Sequence, residues 1–486
     1  MAFSRELVVA AVLLLSWPGS CAWACYAVVA GREASADGSV LVAHNEQNGG
    51  RRILNFRRIP RRQYPPGSVV TLRREGQLPQ VAQTWAFLWS ENPGLEFSDG
   101  YLNEWGVAVV SDGCGTREDD YEALVRRGEI RGGGIGYMLR RLVAQRARTA
   151  REGVKLAGKL VERFGYVDSG RTYVVADPRE AWLLAVVRGR RWVAQRVPDD
   201  AVVFLPNIHI IGEVDLEDTA NFLGSPDLIS YAVRRGWFDP RDGEPFNFRK
   251  AYRKNRDDPP DPRRWRGRQL IAGCREPWPP EEPPPPGLKP EEAVTVAALV
   301  EVLRFVGAPG TLSTPGTQEG AVFQLRSETP PSIGCVYWRT TAEPSVSVLT
   351  PWYVGVFQTP NNYYRPVDVR RQLSLDHHFA PPPGTFDVDA QSAWWKFKKL
   401  QDVVREDYQA RAPIVQPVWA AFEQSVYDDQ QRIENQAIQL WNTDQQAARD
   451  LLTRYCAGLA AEACRQAEEL VDKFHPASRR ARPNDR

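Results

Sequence analysis

The chain has 486 residues, 43% of them apolar, and a formal net charge of only +2, so it can bury a sizeable core and carries no dominant sign of charge. No long basic block occurs, which argues against nucleic acid or an anionic membrane surface as partner. The five histidines are scattered and no Cys-x-x-Cys pair is present, so the spacing of a structural zinc site is missing.

At the N-terminus, Arg5 lies in a short polar start and Leu7 to Leu15 are nine uninterrupted apolar residues. Pro18 and Gly19 break the run, and Ala22-Trp23-Ala24 follows. This is the order of a secretory signal, and nine apolar residues fall well short of the roughly 20 that span a bilayer. The expectation is export to a periplasm or the cell exterior, removal of residues 1–24, and a mature chain that starts at Cys25 with no membrane contact. Export permits disulfides. Cys456 and Cys464 sit in a helical pattern, where a rise of about 1.5 Å per residue sets them about 12 Å apart, too far to bridge unless Gly458 turns the chain.

Beyond Cys25, apolar runs at Tyr26 to Ala30 and Val40 to Ala43 flank Ala36-Asp37-Gly38-Ser39 and predict a hairpin. Further strands are expected at Ala86 to Trp89, Gly106 to Ser111, Thr172 to Ala176, Ala181 to Val187, Trp192 to Arg196 and Val202 to Leu205. Helical periodicity covers Tyr137 to Phe164. The stretch 255–292 is rich in proline, with Pro283 to Pro286 in a row, and is expected as an extended surface insertion rather than helix or central strand. A helix over Glu291 to Phe305 precedes strands near Val322 to Leu325, Cys335 to Trp338 and Ser345 to Leu349. Residues 386–476 read as a helical C-terminal region behind a body at 25–385, and 477–486 as a disordered tail. The class is α+β.

Cleavage before Cys25 would put a thiol and a free α-amine on one residue. A free thiol ionises near pKa 8.5 and an α-amine near 7.7–8.0, so the amine can take the thiol proton at neutral pH. Nucleophile and base then come from a single residue. The thiolate would attack an amide carbonyl and form a thioester, which water releases. The same position also suits a lipid anchor or a disulfide cysteine.

The residues after it narrow the choice. Cys25-Tyr26-Ala27-Val28-Val29-Ala30-Gly31-Arg32-Glu33-Ala34-Ser35-Ala36-Asp37-Gly38-Ser39, followed by His44-Asn45-Glu46-Gln47, resembles the opening of the cysteine dipeptidase family, which includes dipeptidase A of lactic bacteria and the secernins. Leu102-Asn103-Glu104-Trp105-Gly106-Val107, the Gln145 to Glu152 run, Pro206-Asn207, Gln324-Leu325-Arg326, Tyr337-Trp338 and Pro351-Trp352-Tyr353 are similar to later motifs of that family, in the same order. The resemblance implies a four-layer αββα sandwich of the N-terminal-nucleophile hydrolases, distantly akin to penicillin V acylase and bile-salt hydrolase. It implies hydrolysis of dipeptides or short peptides without metal or cofactor, and leaves assembly into a homo-oligomer open.

Carried over by position, the resemblance makes Cys25 the nucleophile and Asn207 an oxyanion donor, where Asn207 also reads as a turn residue closing a strand. Arg326 could bind a substrate carboxylate by its planar fork or stand as a surface strand residue, and His44, which also reads as an exposed strand-end residue, joins Gln47 and Asn103 as candidate substrate contacts. Asn103 also reads as a turn residue, and Ser111-Asp112-Gly113 as a source of a backbone donor. The related acylases carry Arg and Asp at the places matched by His44 and Gln47, so Gln47 cannot hold the α-ammonium as a carboxylate would. Glu46 is adjacent but, as a strand neighbour, should face the other way. An N-acyl amide hydrolase and a non-catalytic binding protein on the same fold stay open as alternatives.

Overall fold

The computed structural model describes residues 25–47, 53–72, 75–93, 98–136, 138–255, 260–280, 285–366 and 386–475. The expected signal segment 1–24 and the tail 477–486 lie outside them. No helix among the described residues is long and apolar enough to cross a membrane.

Two antiparallel sheets make the body. Their strands are β1 (Tyr26–Ala30), β2 (Val40–Gln47), β3 (Asn55–Ile59), β4 (Phe87–Glu91), β5 (Ser98–Asn103), β6 (Ala108–Gly113), β7 (Tyr166–Ala176), β8 (Ala181–Gly189), β9 (Trp192–Arg196), β10 (Val202–Leu205), β11 (Phe222–Gly224), β12 (Gly287–Leu288), β13 (Thr317–Leu325), β14 (Cys335–Arg339) and β15 (Thr350–Tyr353). The first sheet runs β12-β10-β1-β2-β13-β14-β15 and the second β11-β9-β8-β7-β6-β5-β4-β3. The expected hairpin β1–β2 forms the centre of the first sheet. At its turn, Gly38 takes φ +72° and the Asp37 carboxylate accepts from the Ser39 N–H.

Strand alternation sorts the side chains into layers. Along β6, Ala108 and Val110 enter the core between the sheets, while Val109 joins the core beneath the helices α1 (Met138–Arg146) and α2 (Ala150–Phe164). The expected single helix over this stretch is two, because Thr149 caps α2 by accepting from Glu152 N–H. The outer face of the first sheet carries α3 (Pro262–Ala272), α4 (Val296–Arg304) and three tail helices, α5 (Ala393–Glu406), α6 (Tyr408–Trp441) and α7 (Gln445–Phe474). The result is the expected four-layer αββα sandwich.

The proline-rich stretch departs from the expectation of extended chain. Within 255–292, α3 starts with Pro262, where the missing N–H costs no hydrogen bond, and the Asp261 carboxylate caps it from Arg263 and Arg264 N–H. A β-carbon on Gly267 would lie 2.0 Å from the Tyr26 hydroxyl, so glycine lets α3 press onto β1. Ser345 to Leu349, expected as a strand, begins as a short 3-10 turn, and the strand follows at β15. The tail helices are not an appendage. They share the main core, and Glu423 on α6 pairs with Arg304 on α4 while accepting from Leu349 N–H. Helix α7 runs unbroken through Gly458, and Cys456 and Cys464 are both free thiols.

Candidate active site

Cys25 sits immediately before β1, at the heart of the first sheet. Tyr26 pairs with Asn45, so the same register sets Cys25 against Glu46. On the other side Ala27 pairs with Leu205, and the register carried two residues on sets Cys25 against Asn207. Cys25, His44 and Glu46 therefore share the face that looks into the space between the sheets. The second sheet answers with Asp112, which follows Ala108 and Val110 along the inward row of β6. His44 Nε2 lies 3.7 Å from Asp112 Oδ1 and 3.8 Å from Glu46 Oε2. The Cys25 sulfur and donor atoms of His44 and Asp112 all lie within 4.8 Å of one another. One sulfur, one imidazole nitrogen and one carboxylate oxygen thus converge, a donor set that a divalent cation could use.

The charges here act on one another through a dry interior. Burial, then the charges of Glu46 and Asp112, push the Cys25 thiol well above its ordinary range, against the Gln47 backbone N–H and Arg171. Burial opposes protonation of His44, but Asp112 and then Glu46 outweigh it, and the imidazole titrates above its usual value. Burial raises the Asp112 carboxyl, with His44 pulling the other way. His44 Nε2 and both Asp112 oxygens are buried without a partner at hydrogen-bond distance. The neighbouring Glu319, across from Glu46 on β13, is by contrast committed to Arg339, Tyr337 and Ser90.

Asn207 is fixed from α3. Arg263 donates through Nη1 to the Cys25 carbonyl at 2.9 Å and to Asn207 Oδ1 at 3.1 Å, and its Nη2 pairs with Asp261 at 3.1 Å. Arginine only donates, so Asn207 presents its oxygen to Arg263 and keeps its NH2 group free to donate elsewhere.

The sequence model of peptidase family C69 matches residues 24–306, more than half of the 486. The chain belongs to peptidase family C69. This C69 chain is 28% identical over 372 residues to a probable dipeptidase of Salmonella dublin, covering 71% of this chain and 83% of that protein. It is 26% identical over 398 residues to a dipeptidase of Bifidobacterium longum, covering 69% and 72%. Among solved structures it is similar to penicillin V acylase from Agrobacterium tumefaciens, with a TM-score of 0.35 and 14% identity over 68% of this chain and 86% of the acylase.

The remaining expected site residues of the C69 chain lie elsewhere. Gln47 projects from the opposite face of β2, where its amide donates to Leu312 O at 2.8 Å, and only its backbone N–H turns to Cys25. The expectation about parity was therefore inverted: Glu46, not Gln47, shares the Cys25 face. Asn103 is wholly engaged in the fold. Its amide donates to Ala144 O and Ala147 O, and its oxygen accepts from Trp105 and Val107 N–H. Arg326 points outward and forms a two-pronged pair with Glu434 of α6, at 2.7 and 2.6 Å, so the tail helix occupies the fork expected to hold substrate. Asp112 enters through its side chain rather than as a backbone donor. Cys114 and Cys335 are buried core thiols, each pushed up to about 12 chiefly by burial. Arg263 was missed because its proline-rich context hid the helix that carries it.

Proposed function

We propose that this chain is an exported dipeptidase whose nucleophile is the thiol of Cys25, exposed as the first residue when 1–24 are removed. The observation that carries this reading is the convergence of two buried carboxylates on Cys25, Glu46 beside it in the β1–β2 register and Asp112 within 4.8 Å of its sulfur. In a chain still carrying residues 1–24 they oppose thiolate formation. An α-ammonium on Cys25 would meet their field, gain stability from it and in turn favour the thiolate beside it. The family match, which opens one residue before Cys25, and the dipeptidase names of the relatives support the same reading.

The steps follow from these groups. The α-amine accepts the thiol proton, and the thiolate bonds to the carbonyl carbon of the peptide link. Asn207 N–H donates to the oxygen as it gains charge. The α-ammonium returns the proton to the leaving nitrogen, the C–N bond breaks, and the acyl group remains as a thioester on Cys25. Water, deprotonated by the same amine, attacks the thioester and restores the thiol.

The test is a chain beginning at Cys25, assayed on dipeptides beside its Cys25→Ser and Cys25→Ala variants. Turnover is expected only in the parent, with a transient acyl adduct on Cys25 by mass spectrometry. Equal dipeptide hydrolysis by Cys25→Ala would end the proposal.

A further inference from the structure

We propose that the buried cluster around Cys25 in the mature protein is also a reversible binding site for one zinc-class divalent cation, ligated by Cys25 Sγ, His44 Nε2 and an Asp112 carboxylate oxygen. The three side chains suffice for the site; the reading that Cys25 heads the mature chain adds only a fourth donor, its α-amine. Sulfur, imidazole and carboxylate are the ligands that Zn2+ takes in tetrahedral sites, at about 2.0–2.3 Å from the metal. Such bonds place ligand atoms about 3.3–3.8 Å apart by tetrahedral geometry. His44 Nε2 and Asp112 Oδ1 already stand at 3.7 Å, and the whole set within 4.8 Å, so small side-chain rotations close the cage.

The second observation is what these atoms lack. His44 Nε2 and both oxygens of Asp112 are buried with no hydrogen-bond partner, and a buried carboxylate in that state is costly. A divalent cation would satisfy His44 Nε2 and one of the two Asp112 oxygens. It would also offset the summed negative charge of the thiolate, Asp112 and nearby Glu46. The amine and thiolate of an N-terminal cysteine sit on adjacent carbons and close a five-membered chelate ring, which completes four-coordination. Binding releases the thiol proton, the ammonium proton and any proton on His44 Nε2 to solvent, so affinity falls as pH falls. With both groups tied to the metal, neither can act, and substrate and cation exclude one another. The cation is an inhibitor and a shield for the thiol, not a participant in hydrolysis.

The chain beginning at Cys25 is stripped with chelator and titrated with Zn2+ alone by calorimetry, without substrate, and with Co2+ by absorption. One site per chain is expected, with a thiolate-to-cobalt charge-transfer band that Cys25→Ser abolishes. His44→Ala and Asp112→Asn should each weaken Zn2+ binding at least about ten-fold. Near-ultraviolet circular dichroism reports whether each variant keeps its packing, and if one does not, the cobalt band of the parent alone decides. No cobalt band, or Zn2+ affinity indifferent to His44 and Asp112 in folded variants, overturns the proposal. Turnover with no cation binding sinks this inference and leaves the dipeptidase reading standing; cation binding at these residues without dipeptide turnover does the reverse.

Discussion

Replacing Arg326 by methionine separates a structural cation from a substrate-binding one. The change keeps most of the aliphatic length and deletes the fork that grips Glu434 at 2.6 and 2.7 Å. The two side chains are 18% and 10% exposed, which places the pair between surface and interior. Removing one partner of a buried pair costs about 3–5 kcal/mol and exposed pairs contribute about 0–1. Glu434 would keep donors from Tyr353 and Gln430, so the stranded carboxylate is not bare. The expected loss is therefore about 2 kcal/mol, at the junction of β13 with α6. Urea unfolding of Arg326→Met, Glu434→Leu and the double variant measures it. The double variant should recover most of the loss, because it leaves no unpaired charge. Steady-state kinetics on a dipeptide should show KM unchanged in folded Arg326→Met. An unchanged urea midpoint together with a KM raised about ten-fold, worth about 1.4 kcal/mol of lost binding, would refute this assignment and return Arg326 to the substrate.

Asn207→Ala should lower kcat by about 10²–10³-fold if its N–H meets the oxyanion, with KM little changed, as steady-state kinetics would show. Arg263→Met should lower kcat by up to about 10²-fold through misplacement of Asn207 and Cys25, while thiol alkylation of Cys25 persists. His44 titrates above its ordinary value, so its contribution to stability is complete below about pH 6.5 and is lost as pH rises through the raised value. Asp112→Asn should remove that alkaline loss in urea midpoints. His209 behaves oppositely: burial and then Arg253 hold it down to about 3, and its ring meets the Thr172 hydroxyl at 3.2 Å. Its contribution is present above about pH 6.5 and falls by about 1.4 kcal/mol per unit as pH drops toward 3. His209→Gln should flatten this acid slope.

Much of the molecule was readable along the chain. The β1–β2 hairpin, the strands from Thr172 to Leu205 and the three tail helices carry local signals, namely alternation, turn chemistry and helical periodicity. Strongly local chemistry also made Cys25 conspicuous, since its neighbours in sequence carry both the expected cleavage pattern and the family motif. Where local signals conflicted, the reading failed. Prolines around residue 262 hid a helix, although Asp261-Pro262 is itself a helix start, and Thr149 broke a run that periodicity alone would continue.

Sequence alone determined most of the elements, the place of Cys25 before the first strand and the family motifs, because each depends on residues a few positions apart. Tertiary structure decided which groups meet Cys25. Whether Glu46 or Gln47 faces Cys25 depends on hairpin register, since a shift of one residue reverses every side chain. Asp112 arrives from the opposite sheet and Arg263 from a helix far along the chain, while Arg326 is claimed by Glu434. Those contacts are set by how layers stack across the core, and pairing between distant segments leaves no periodic trace in either one.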